Sequence, residues 1–179
     1  MSKPQEDAMD PHYATGSGSA AAVGRHPIHP LLVPLPIGLL MGALVADIVF
    51  AMTQDPFWAR GAYWLLVGGG VTGVLAGAAG LVELLGVRRA RRLGIAWAHG
   101  LGNLAVLVLT GVNVYIRTGA PEAAVVPAGL ALSAVVVLGL GVTGWLGGEM
   151  TYRHGIGVTR RLGAPQEAPP GTPQGHPAE

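Results

Sequence analysis

Apolar residues run in four unbroken blocks along the chain, at about residues 31–52, 62–86, 93–116 and 124–150. Each block holds about 22 to 27 residues, roughly 33 to 40 Å of helix at 1.5 Å per residue. That length crosses a hydrocarbon core of about 30 Å with some tilt. The blocks are continuous rather than alternating and far longer than barrel strands, which argues against a β architecture. The links between them are short: TQDPFWARG, VRRARR and RTGAPE. Short links make consecutive spans antiparallel neighbours. The pattern therefore predicts an all-α, polytopic membrane protein, an antiparallel four-transmembrane-helix bundle.

Polar residues gather outside the blocks. Residues 1–24 are acidic, small and polar, without the basic and apolar regions of a cleaved signal peptide, and read as a disordered tail. Residues 162–179, rich in Pro, Gly and Gln, read as a second disordered tail, which leaves 25–161 as the transmembrane domain. His12 and His176 fall in the tails and are set aside. Only 12% of the 179 residues are charged, against about 25% in soluble domains, so lipid rather than water must solvate most of the surface. A net charge of +1 excludes the strongly basic face of a nucleic-acid binder.

Charge also orients the bundle. With four spans, Lys3, Arg25, Arg88, Arg89, Arg91, Arg92, Arg153, Arg160 and Arg161 share one side, and only Arg60 and Arg117 lie on the other. The positive-inside rule makes the first side cytoplasmic, together with both termini. Phe57 and Trp58 fit an aromatic belt at the opposite interface. Gly69, Gly73 and Gly77 in the second span, and Gly141, Gly144 and Gly148 in the fourth, have the spacing that lets helix backbones approach closely.

The candidate chemistry is carried by histidine. The chain has no cysteine, so thiolate sites and disulfides are excluded, and His and carboxylate are the available ligands. The topology places His26, His29, His99 and His154 toward one face of the bilayer. His26 and His29 each precede a proline, which predicts an extended, stiff lead-in to the first span rather than a helical face. His99 lies about six residues, roughly 9 Å, inside the third span. Intramembrane ionisable residues face the bundle interior and mark function. Asn103, Thr110, Asn113 and Arg117 follow His99 on one helical face. Glu83 and Glu149 close the second and fourth spans at the same level and suit interfacial pairs, Glu83 with Arg88 or Arg89 and Glu149 with Arg153. Asp47 lies near the opposite face, where Asn113 or Arg117 is the expected partner for a carboxylate that cannot stay unpaired.

The run HPIHPLLVPLPIGLL with Asp47, then His99-Gly100 and Asn103, then GWLGGEMTYRHGIGV at 144–158, resembles the bacterial membrane-protein family known as domain of unknown function 2231. The resemblance covers roughly residues 25–159 and implies a four-helix inner-membrane protein without an assigned activity.

Two functional classes follow. In the first, the histidines hold a b-type haem, which takes two axial groups at matched depth. His99 would pair with His29 or His154. A transition metal held by His26, His29, His99, Glu83 and Glu149 is the variant. No histidine lies near the opposite face, so a two-haem path across the membrane is disfavoured. In the second, the protein is a non-catalytic membrane subunit or scaffold with structural histidines. The implied partners are the lipid bilayer and either a redox partner or further copies of the chain. No hydrolase, kinase or nucleotide motif is present, and Gly68–Gly70 lie inside a span rather than after a strand.

Overall fold

The computed structural model describes residues 19–23 and 26–156. Most of the two expected tails, with His12 and His176, lies outside the described residues. Two two-residue strands, β1 (Ala22–Val23) and β2 (His26–Pro27), form a small antiparallel pair before the helices. A short helix α1 (Ile28–Leu32) leads into α2 (Pro34–Thr53). There follow α3 (Pro56–Gly86), the single turn α4 (Arg88–Arg91) and α5 (Gly94–Ile116). The last span comprises α6 (Pro121–Ala124), a π-type segment Val125–Gly129, and α7 (Leu130–Tyr152).

Four stretches are long and apolar enough to cross a membrane: Ile28–Thr53, Pro56–Gly86, Gly94–Ile116 and Pro121–Tyr152. Helix α2 packs on α3, α3 on α5, α5 on α7, and α7 back on α2. Neighbours in sequence are therefore neighbours in space, as short links require. Leu40, Ala43, Leu66, Val106 and Val136 form the central core. Large apolar side chains such as Trp64, Leu101, Leu138 and Trp145 point outward, as they must where the solvent is lipid.

The boundaries differ from the hydropathy pattern for local reasons. The link between the first two spans is only Gln54–Asp55, because Asp55 caps α3 by accepting from Phe57 N at 2.9 Å and Pro56 opens the helix. Residues 56–61, polar enough to read as loop, are thus helical. His29 also departs from expectation. It sits inside α1, and its carbonyl accepts from Val33 N at 3.1 Å. Pro30 does not break this turn, since an N–H in the first turn of a helix has no partner to lose.

The glycines pack in two ways. A methyl group built on Gly69 would lie 2.6 Å from Leu40 Cδ2, and one on Gly73 would lie 2.7 Å from Leu107 Cδ2. This second-span stripe serves contacts inside the bundle. In α7 the expected stripe does not: Gly141 and Gly144 are exposed, with nothing within 4 Å. The close approach to α5 uses Gly139, against Val106, and Gly147 instead.

Candidate functional site

The third span turns its polar residues inward. Thr110, Asn113 and Arg117 are buried, and His99 and Asn103 are half-buried. This face feeds two separate polar clusters, one toward each end of the bundle.

Far from the histidines, Asp47 and Arg117 form a fully buried pair, with Nη1–Oδ1 at 2.5 Å and Nη2–Oδ2 at 2.7 Å. Ser133 donates to Asp47 Oδ2 at 2.6 Å, and Arg117 Nε donates to Asn113 Oδ1 at 2.9 Å. Asn113 Nδ2 donates to Ser133 Oγ and to the Gly129 carbonyl. Gly129 lies where the fourth span departs from regular helix, Val126 having non-helical dihedrals. A methyl group there would meet Arg117 Nη2 at 2.6 Å, so the position must stay bare for the guanidinium to fit. Asp47 was expected to find Asn113 or Arg117; Ser133, a lone hydroxyl in an apolar run, left no comparable signal.

At the other end, His29 and His99 face each other. Their ring centroids are 6.2 Å apart and their planes nearly perpendicular, at 88°. Each imidazole is tied to the next span of its own helical hairpin by the same device. His29 Nδ1 donates to the Ala76 carbonyl of α3 at 2.8 Å, and His99 Nδ1 donates to the Thr143 carbonyl of α7 at 2.8 Å. Carbonyl oxygen only accepts, so Nδ1 carries a hydrogen on both rings, and in the neutral imidazole Nε2 is then the nitrogen with the free lone pair. Four residues beyond each carbonyl stands a glycine, Gly80 and Gly147. A methyl group on Gly80 would lie 2.9 Å from His29 Nδ1, and one on Gly147 would lie 3.1 Å from His99 Cε1. A helical carbonyl points toward residue i+4, so an imidazole reaches it from the side only where that residue lacks a Cβ.

The two Nε2 atoms differ. His29 Nε2 has no hydrogen-bond partner among the described residues, whereas Asn103 Nδ2 lies 3.2 Å from His99 Nε2 and 2.9 Å from the His99 carbonyl. Binding Nδ1 to a carbonyl fixes the ring orientation and leaves Nε2 as the nitrogen to bind, the arrangement around metal-ligating histidines.

The remaining candidates lie apart from this pair. His26 is exposed on β2, and His154 is half-buried in the turn after α7. No ring contact or hydrogen bond joins His154 to His29 or His99 among the described residues. Glu149 pairs with Arg153 at 2.7 Å, as expected. Glu83 does not pair with Arg88. Its Oε2 accepts from Ser19 Oγ at 2.9 Å, Ala20 N at 3.0 Å and Ala21 N at 3.3 Å. Ser19–Val23, read from sequence as part of a tail, thus dock on the end of α3. The five-residue set of His26, His29, His99, Glu83 and Glu149 is not gathered into one site: among the described residues no three His, Asp or Glu side chains converge as metal ligands.

No curated protein and no solved structure matches the chain. A family model described as a predicted membrane protein, domain of unknown function 2231, matches residues 25–160, which carry both histidine cradles and the buried Asp47–Arg117 pair, and the chain belongs to that family.

Proposed function

We propose that this membrane protein holds a single transition-metal centre, a b-type haem iron or a bare ion, between His29 and His99. The observation that carries the reading is the matched pair of imidazoles, each anchored through Nδ1 to a main-chain carbonyl, with centroids 6.2 Å apart. Two metal–nitrogen bonds of about 2 Å, extended by the ring radii, place two imidazole centroids roughly 6 Å apart across one ion. The donor set therefore fits a group that takes two neutral nitrogens. When bound, such a centre would supply one-electron redox chemistry. The chain's own contribution is to fix both tautomers and to present each Nε2 from a different hairpin. The arginine-rich end is the cytoplasmic one by the positive-inside rule, so the centre would exchange electrons with a partner on that side.

A second reading has its own support. Asn103, one turn on in the same helix, already donates toward His99 Nε2, and the two Nδ1 bonds to Ala76 and Thr143 join neighbouring spans as purely structural ties do. On that reading the protein is a non-catalytic subunit or scaffold.

One preparation separates the two. The protein is purified in mild detergent from haem-replete cells, and its absorption spectrum and metal content are measured. A Soret band, or one equivalent of metal, that is lost in both His29→Ala and His99→Ala but kept in His154→Ala is the expected result. A colourless, metal-free protein at full yield overturns the proposal and leaves the structural reading.

A further inference from the structure

His29 stands in a helix that cannot hold itself. Helix α1 is five residues long, and two prolines, Pro27 at its N-cap and Pro30 within it, bring no N–H. It has no side-chain cap. A helix this short is marginal alone, because the first turn costs more order than its bonds return. The N–H at its head, Ile28 N, donates instead to the Ala21 carbonyl at 2.9 Å. The pairing of β1 with β2, Ala22 beside Pro27 and Val23 beside His26, continues that contact. Ser19–Val23 therefore supply the cap that α1 lacks.

That segment is fastened in turn to α3. Glu83 Oε2 accepts from Ser19 Oγ, Ala20 N and Ala21 N together. The other oxygen, Oε1, is buried and has no hydrogen-bond partner among the described residues. All of the holding thus falls on one oxygen, and an ionised oxygen accepts more strongly than a neutral one. Gly86 clears the way, since a methyl group there would collide with Ala20 Cβ.

One side of α3 therefore grips the same stretch of chain twice. Ala76 accepts from His29 Nδ1, and Gly80 makes room for the ring. Glu83 accepts from Ser19–Ala21, and Gly86 makes room for Ala20. Each grip joins an acceptor to a bare position one turn on. His99 has a grip of the first kind, from Thr143 and Gly147. It needs no second one, because it lies within the 23-residue α5.

We infer that Glu83 is a positioning residue for His29. Its carboxylate holds Ser19–Ala21, Ala21 caps α1, and the capped α1 seats the imidazole on the Ala76 carbonyl. The route is one-sided and leaves His99 alone. At the metal centre proposed above, His29 would then be the adjustable ligand and His99 the fixed one. That consequence rests on the proposed function; the seat of the ring does not, since it is built from the chain alone.

The test uses the full chain in mild detergent, made without added haem and dialysed against chelator, so that it does not depend on a metal. Nitrogen-15 spectra report the two imidazoles, and hydrogen exchange reports the amides of Ala20, Ala21 and Ile28. In Glu83→Ala the Nδ1–H signal of His29 should be lost to exchange between tautomers while that of His99 is kept. Protection at Ile28 should fall roughly two- to tenfold, the weight of one backbone hydrogen bond. Gly86→Ala, which lifts Ala20 without touching the carboxylate, should do the same. Glu83→Gln, which keeps an acceptor without the charge, should fall between. Glu122→Ala, at the other end of the bundle, should match wild type. If Ala20 and Ala21 exchange freely in Glu83→Ala while His29 keeps its Nδ1–H signal, the segment is released without moving the ring and the inference is overturned. Loss of both imidazole signals, or an effect in Glu83→Ala that Gly86→Ala does not share, overturns it as well. A wild type that never takes up metal overturns the proposed centre and leaves the seat to be judged by these same spectra.

Discussion

The Asp47 carboxylate and the Arg117 guanidinium meet in a two-pronged pair with no exposed surface on either side chain. They tie the first span to the third, and Ser133 on α7 and Asn113 complete the hydrogen bonding of the group. A buried ion pair adds little over well-packed apolar residues, but breaking it strands a charge. Arg117→Gln or Asp47→Leu alone should therefore lower unfolding stability by about 3–5 kcal/mol. The double variant Asp47→Leu/Arg117→Met should cost much less than the sum of its parts. Denaturant titration in mixed micelles reads both quantities, and additive losses would contradict the account.

The exposed pairs should behave oppositely. Arg60 and Glu122 are 3.3 Å apart, with side chains 61% and 37% exposed. Water and salt screen such a pair, so Arg60→Ala should change stability by less than about 1 kcal/mol. Raising the ionic strength should shrink even that difference. A loss comparable to that in Arg117→Gln would mean that Arg60 is far less hydrated than its exposure indicates.

The spans were legible because lipid imposes one dominant pattern, a continuous apolar block of fixed length. The polar face of α5 was legible for a related reason: Asn103, Thr110, Asn113 and Arg117 repeat with helical spacing, and a polar stripe in a span has only the interior to face. The sequence named His29 and His154 as alternatives beside His99, and which of them faces it was not legible. The groups that fix both rings are the carbonyls of Ala76 and Thr143, and main-chain atoms leave no signature in side-chain identity. The usable trace is glycine: Gly80 and Gly147 each stand four residues after the accepting carbonyl, a spacing hidden among the other glycines of both helices. Glu83 misled for a different reason. Its nearest cations in sequence are Arg88 and Arg89, but its partners are two backbone amides and a hydroxyl from a segment whose composition gives no sign of order.

That segment offers a direct check. Glu83 Oε2 is the shared acceptor for Ser19 Oγ, Ala20 N and Ala21 N. A hydrogen bond to a charged acceptor contributes about 1.5–3 kcal/mol, so in Glu83→Ala the protection of the Ala20 and Ala21 amides should fall at least roughly tenfold. The melting temperature of the helices should hardly move, because these residues cover only the end of α3. Hydrogen exchange followed by mass spectrometry measures the first effect and circular dichroism the second. Unchanged exchange at Ala20 and Ala21 would show that the carboxylate does not hold them.

The glycine cradles make the sharpest structural prediction. In Gly80→Ala the new methyl would sit 2.9 Å from His29 Nδ1 and 3.0 Å from Cε1, too close to coexist with the bond to Ala76. In Gly147→Ala the nearest atom is His99 Cε1 at 3.1 Å, a milder conflict. Gly111, in the same helix as His99, has nothing within 4 Å and serves as the control. Overpacking of this kind costs about 1–3 kcal/mol, whereas alanine in an unobstructed helix interior gains up to about 1 kcal/mol over glycine. Thermal stability should thus rank Gly111→Ala at or above wild type, then Gly147→Ala, then Gly80→Ala. Nitrogen-15 spectra of the imidazoles give an independent readout: Gly80→Ala should disturb the Nδ1–H form of His29 and leave that of His99 in place. If Gly80→Ala melted like wild type with both ring signals unchanged, the imidazole could not be seated on the Ala76 carbonyl.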